Sequence, residues 1–126
     1  MIDIHEILTN RYDFLPKELE IQKGWIFIIY ALCENIKDEL EKQSLESFEI
    51  SQVKQKHGEL RIYRGFFDPD WDDGEEDNPI DDMIEDAIVL AQTTCEFCGK
   101  QAIRRIANNW IYVICNDCFN SILNEK

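Results

Sequence analysis

The chain has 126 residues, 44% of them hydrophobic, which suffices for one domain with a buried core or for one domain and a small module. Its formal net charge of −13 repels phosphate groups and argues against a nucleic-acid-binding protein. The N-terminus has no basic region, and the longest apolar run, Trp25 to Cys33, is much shorter than the roughly 20 residues of a membrane span. We therefore expect a soluble, cytoplasmic protein.

The first predicted elements are helices. Residues 2–9 predict a short helix, and residues 13–20 predict a connection that contains a proline. A long amphipathic helix is then expected to begin at Ile21 or Gly24 and to end near Lys42. Its apolar residues recur at steps of three and four, which is the spacing of one helix face.

A β-hairpin is predicted after this helix. Residues 47–55 and 59–65 alternate apolar and polar side chains, and the segment 56–58 between them, Lys-His-Gly, is a turn signal. A further helix is expected to begin at Pro79 or Ile80, because proline is tolerated at the first position of a helix. The fold class predicted for this part is α+β.

An acidic loop, residues 66–79, separates the hairpin from that helix. Residues 65–94 contain 11 acidic residues and no lysine or arginine, so nearly all of the net charge lies in this part of the chain. Dense like charge with two prolines argues against regular structure. Neither register of the EF-hand pattern places its acids and its glycine correctly, so we do not expect calcium.

Aromatic side chains among these acids are typical of interface anchors rather than of solubilising tails. The loop is therefore a candidate docking surface for a cationic partner, and a solvated loop without a binding role is the alternative. The residues assigned to partner binding are Asp68, Asp70, Trp71, Asp72, Asp73, Glu75, Glu76 and Asp77.

Four of the five cysteines form two CxxC pairs with the spacing C-x2-C-x16-C-x2-C. Two such pairs can surround a zinc ion tetrahedrally with Zn–S distances near 2.3 Å. Reduced thiols, a redox pair and an iron–sulfur cluster are the alternatives. A closed shell of four thiolates leaves no position for water, so we predict one structural zinc ion rather than a catalytic one. Its ligands are Cys95, Cys98, Cys115 and Cys118.

The residues around these cysteines predict two short strands, 102–106 and 110–114, joined by an asparagine pair, and a helix over 116–124. A knuckle, a hairpin and a helix whose first turn supplies two ligands resemble the treble-clef zinc fold. The predicted division is an α+β domain over residues 1–92 and a zinc module over residues 93–126.

No catalytic constellation is visible in the sequence. His5 and His57 have no neighbours that suggest catalysis, and Cys33 lies among apolar residues and is expected to fill the core. We therefore do not expect an enzyme. An alternative function is a regulator that binds nucleic acid through the zinc module, with Arg104, Arg105 and Trp110 as its contacts.

The segment Gln52 to Tyr63 resembles a hairpin of the type QVKxKxGxLRxY found in a group of small bacterial and phage proteins. In that group a Gly-Trp pair precedes the hairpin, as Gly24-Trp25 does here, and a CExCG knuckle and a second metal pair end the chain. This sequence departs from the group at Cys118, where histidine is common, and at His57, where an aromatic residue is more usual. The resemblance implies the fold and the zinc ion rather than a reaction, with an immunity or interaction role.

Together these features predict an acidic cytoplasmic protein that neutralises a basic protein partner. The most specific form of this hypothesis is an immunity protein that inhibits a bacterial nuclease toxin, because a nuclease must be cationic to hold phosphate. An acidic DNA mimic that blocks other enzymes is a further alternative.

Overall fold

The computed structural model describes residues 3–44, 48–64 and 79–124. Within these residues the fold is α+β, with α-helices and two small antiparallel hairpins, as predicted. The predicted acidic loop, residues 66–79, lies outside the described residues apart from Pro79, which begins a helix. Among the described helices, none is both long and apolar enough to cross a membrane.

The N-terminal part contains helix α1, Ile4–Arg11, and helix α2, Ile26–Gln43. Helix α1 begins two residues later than predicted, because the side chain of Asp3 accepts a hydrogen bond from the N–H of His5 and caps the helix there. The long predicted helix is not continuous from residue 24: Lys23–Trp25 form a 3-10 turn before α2.

The first hairpin consists of strand β1, Ile50–Lys56, and strand β2, Glu59–Arg64. Both residues of its turn, His57 and Gly58, have positive φ angles, which matches the predicted turn and the twist of a two-residue hairpin. The main chain at Glu20 pairs with the outer edge of β1: its N–H donates to Val53 O at 2.9 Å.

Helix α3, Pro79–Ala91, packs on α2 and on β2. The chain then forms the first cysteine knuckle and a second hairpin, in which strand β3, Ile103–Ala107, pairs with strand β4, Trp110–Ile114. Helix α4, Asn116–Asn124, follows directly. The predicted order of knuckle, hairpin and helix is confirmed, with the strands within one residue of their predicted ends.

One hydrophobic core joins the residues on both sides of the predicted boundary at position 92. Trp25 and Ile36 are completely buried in it, and so is Ile114 of the cysteine segment. The predicted segments 1–92 and 93–126 therefore share packed side chains, and their separate status as domains stays a prediction. Other buried members from the two segments are Ile29, Ile50, Leu60, Ile80, Cys95, Ala102 and Val113.

Candidate metal centre

The four predicted cysteine ligands lie together. Their Sγ atoms are all within 4.8 Å of one another, and all four cysteines are free thiols. A tetrahedral ion with metal–sulfur bonds near 2.3 Å requires sulfur–sulfur separations of about 3.8 Å. The Sγ atoms of Cys98 and Cys115 are 3.5 Å apart, slightly less than this ideal separation, and the limit of 4.8 Å for the whole set is slightly more. The four sulfurs are therefore positioned to hold a metal ion.

The first pair lies on a tight knuckle. Cys95 N–H donates to Lys100 O at 2.7 Å, and Gly99 N–H donates to Cys95 O at 2.9 Å. Gly99 has a φ angle of 83°, in the left-handed region that favours glycine. These bonds turn the chain back within six residues, so that Cys95 and Cys98 present their sulfurs to the same point.

The second pair lies at the start of α4. Cys115 directly precedes the helix, and the N–H of Cys118 in its first turn donates to Cys115 Sγ at 3.5 Å. This backbone hydrogen bond is the main influence that lowers the pKa of Cys115 to about 7, with burial opposing it. Burial is the main influence that raises the pKa of Cys118. A positive helix terminus favours the thiolate form that a metal requires.

The knuckle is docked on the start of α2. Gly24 N–H donates to Glu96 O at 2.8 Å, and the indole Nε1–H of Trp25 donates to Thr94 O at 2.8 Å. A side chain at position 24 has no room, because a Cβ there would lie 2.3 Å from Cys95 O. The Gly24-Trp25 pair therefore holds the main chain that precedes and follows the first metal ligand.

Glu96, between the two ligands of the knuckle, is a buried acid that the sequence reasoning did not single out. Only 2% of its surface is exposed. Its carboxylate accepts hydrogen bonds from Val113 N–H at 3.0 Å and from Gln55 Nε2 at 3.2 Å. Burial raises its pKa, and these two hydrogen bonds partly offset that effect. Glu96 thereby ties the knuckle to β4 and to β1.

The two arginines of the second hairpin are held by the protein itself. Arg104 Nη2 donates to His57 O at 2.7 Å, which joins the second hairpin to the turn of the first. Arg105 donates to the side chain of Asn116, and its guanidinium lies 4.9 Å from the ring centre of Phe119 on α4. Both guanidinium groups are thus used within the fold next to the cysteine cluster.

The remaining predicted sites have different outcomes. The eight residues assigned to partner binding lie outside the described residues, so their assignment stays a prediction. Cys33 is completely buried, as expected for core filling, and burial raises its pKa to about 12.

The first acids of the described chain after the loop belong to α3, where Asp82, Glu85 and Asp86 are exposed and no basic residue occurs.

No protein family, curated protein or solved structure matched this chain.

Proposed function

We propose that this chain is an acidic binding protein that captures and neutralises a basic protein partner, and that a structural zinc ion holds the fold in which it does so. The observation that carries the proposal is the block of residues 65–94, with 11 acids and no lysine or arginine. A surface of one sign attracts a partner of the other sign from a distance and speeds its association.

The zinc part of the proposal rests on the ligand set. Four thiolates at separations of no more than 4.8 Å suit a single ion, and zinc is the common ion in sites of four cysteines. Such a site is coordinatively closed, which favours a structural role. The order of knuckle, hairpin and helix supports a treble-clef-like module. Elemental analysis of protein purified without chelator is expected to give one zinc per chain, and a value near zero contradicts the zinc assignment.

The specific partner that we propose is a bacterial nuclease toxin, for which this chain would be the immunity protein. A nuclease surface must carry positive charge to bind phosphate, so an acidic inhibitor is complementary to it. Asp82, Glu85 and Asp86 on α3 are members of the acidic block that lie within the described residues, and all three are exposed. The loop over residues 66–79 is the proposed contact surface.

The net charge of −13 disfavours the alternative of a nucleic-acid regulator, because it repels phosphate. Arg104 donates to His57 O and Arg105 to Asn116, and because both acceptors are neutral these contacts leave the two positive charges in place. A gel-shift assay with DNA and with RNA at physiological salt is expected to show no complex. A tight complex would instead support the regulator.

The test of the immunity role needs a nuclease toxin, and we expect one to be encoded by the gene beside that of this chain. An equimolar amount of the purified chain is expected to abolish its cleavage of nucleic acid, and the association rate should fall steeply with salt. The proposed contact surface is then tested by reversing four loop charges, which should slow association at least about tenfold. The residues to change to lysine are Asp70, Asp72, Glu75 and Glu76.

A matched control changes the net charge by the same amount outside the acidic block. The exposed residues for that control are Glu18, Asp38, Glu41 and Glu49, each changed to lysine. If both variants slow association equally, net charge and not the loop is responsible. If neither changes it, the loop is not the contact surface, and if the nuclease is not inhibited at all, the immunity role is wrong.

A further inference from the structure

A cleft of about 460 Å³ lies where the metal segment meets the N-terminal part. Its walls come from residues 19–22, from Gln55 at the end of β1, from Glu96 in the knuckle, and from Trp110 and Tyr112 on β4. The volume falls within the range of about 300–1,000 Å³ that is usual for small-ligand sites. Its lining residues are distant in sequence from the acidic loop.

The charged groups of this cleft are all acidic. Glu20 and Glu96 belong to its lining, which contains no lysine, arginine or histidine. Among the described residues, the donors to the buried Glu96 carboxylate are neutral: the amide of Gln55 and the main chain of Val113. Within the described parts of the chain, no cationic side chain forms an ion pair with it. Buried carboxylates are normally paired with a cation, so this one lacks its usual partner.

Gln55 adds a second unpaired acceptor. Its Nε2 donates to Glu96 and, at 2.7 Å, to Ile111 O, which fixes the orientation of the amide. Its Oε1 is consequently left buried with no hydrogen-bond partner in the described residues. An orphaned buried acceptor is uncommon and calls for a donor. Glu96 and Gln55 can therefore each accept a further hydrogen bond from a ligand.

The walls suit a flat cation on an apolar stem. Trp110 and Tyr112 present aromatic rings, and Leu19 and Ile21 contribute aliphatic surface. Trp110 is 54% exposed, which is unusual for so large an apolar residue. Guanidinium groups stack on aromatic faces and donate several hydrogen bonds in one plane.

We infer that this cleft binds an alkylguanidinium group, stacked against Trp110 and bonded to Glu96 and Gln55. In the complex, this guanidinium group would belong to an arginine side chain of the basic partner. That source rests on the proposed function, whereas the recognition of the guanidinium group does not. A free guanidinium compound has the same chemistry, and the experiment distinguishes the two sources by using a different probe for each.

The experiment measures binding to the isolated, metal-loaded chain by calorimetry and by NMR of the Trp110 indole. The probes are acetyl-arginine amide and, as the free small molecule, agmatine, and both are expected to bind with a Kd of about 1 mM. Acetyl-citrulline amide has the same shape without the charge and is expected not to bind. Equal binding of the citrulline compound, or no binding of either guanidinium compound, overturns the inference. Binding of agmatine alone assigns the cleft to a free ligand and overturns the partner side chain as its source.

Variants place the binding in the cleft. Trp110→Ala and Glu20→Gln are each expected to weaken the binding of acetyl-arginine amide at least about fivefold. Glu96→Gln keeps an acceptor for Val113 N–H and removes the charge, and it is expected to abolish binding while one metal ion per chain shows that the fold persists. Glu18→Gln is the matched control, because Glu18 is exposed and does not line the cleft. If Glu18→Gln has the same effect as Glu20→Gln, the cleft is not the site.

This result can be separated from the test of the proposed function, because no protein partner is present. The variant with four reversed loop charges is expected to bind acetyl-arginine amide like the unchanged chain. If the nuclease is inhibited while no guanidinium compound binds, the cleft inference alone is wrong. If guanidinium compounds bind while no nuclease is inhibited, the immunity role alone is wrong.

Discussion

The close approach at Gly24 gives the sharpest prediction about the fold. A Cβ at this position would lie 2.3 Å from Cys95 O, 2.5 Å from Glu96 C and 2.6 Å from Glu96 O. All three are main-chain atoms of the metal knuckle, so no side chain can rotate away to make room. Gly24→Ala must therefore move the knuckle away from the start of α2 by an appreciable fraction of an ångström.

The size of the effect follows from what that movement breaks. The hydrogen bond from Gly24 N–H to Glu96 O, 2.8 Å long, is buried and contributes about 1 kcal/mol. Overpacking of a rigid site costs about 1–3 kcal/mol more. The φ angle of Gly24 is not positive, so alanine would by itself stabilise the chain by roughly 0.4–1 kcal/mol. The net loss is about 1–3.6 kcal/mol, which lowers Tm by roughly 4–14 °C.

The assay is thermal unfolding of the metal-loaded protein, together with metal affinity from competition with a chromophoric chelator. Gly99→Ala is the control from the same knuckle, because within the described parts of the chain its Cβ would meet nothing nearer than Gly24 O at 3.4 Å. Its cost is the left-handed φ angle, about 1 kcal/mol. If Gly24→Ala is as stable as the unchanged chain, steric contact with the knuckle is not what selects glycine. If it lowers Tm without weakening metal binding, the docking of the knuckle is not coupled to the metal.

Three further predictions concern the metal, the core thiol and one carboxylate. Removal of the metal by a chelator should unfold the cysteine segment, because a structural zinc site contributes about 10 kcal/mol or more; circular dichroism during chelation, reversed by added zinc, tests this. Iodoacetamide should not label the metal-loaded chain, because the metal would hold four thiols and Cys33 is completely buried. The metal-free chain should take up five adducts. Four adducts would show that the core around Cys33 stays closed without the metal. The hydrogen bond from Tyr12 lowers the pKa of Glu34, so its stabilising effect is present at neutral pH and is lost as the pH falls through that lowered value. In Tyr12→Phe, an NMR titration should return the pKa of Glu34 toward its ordinary value, and an unchanged pKa would rule out this cause.

Local patterns in the sequence were sufficient to predict most elements. Apolar residues at steps of three and four predicted α2, and Pro79 predicted the start of α3. The glycine and asparagine turns predicted both hairpins. The CxxC spacing predicted which four sulfurs meet, because two knuckles of that spacing have few ways to close a tetrahedron. These features depend on residues that are neighbours in the chain.

The rest depends on contacts between distant residues, which a single sequence does not reveal. Glu96 is charged and sits between two ligands, so the sequence suggests an exposed side chain, yet Gln55 and Val113 enclose it. Gly24 also depends on a distant contact, because the main chain that leaves no room for its side chain belongs to the knuckle more than 70 positions later. The eight residues assigned to partner binding lie outside the described residues, so composition alone carries that assignment.

The metal cluster and the cleft are parts of one arrangement. Two-stranded hairpins are marginal on their own, and here each is held by the other: Gln55 of β1 reaches Ile111 O of β4, and Arg104 of β3 reaches His57 O in the opposite turn. The knuckle that supplies Glu96 to this junction would be fixed by a metal ion bound to Cys95 and Cys98 on either side of it. Without the metal, the cleft therefore loses Glu96 and the strand that carries Trp110. Guanidinium binding should thus disappear on chelation and return with zinc, and binding that survives chelation would show that the cleft is not built by the metal centre.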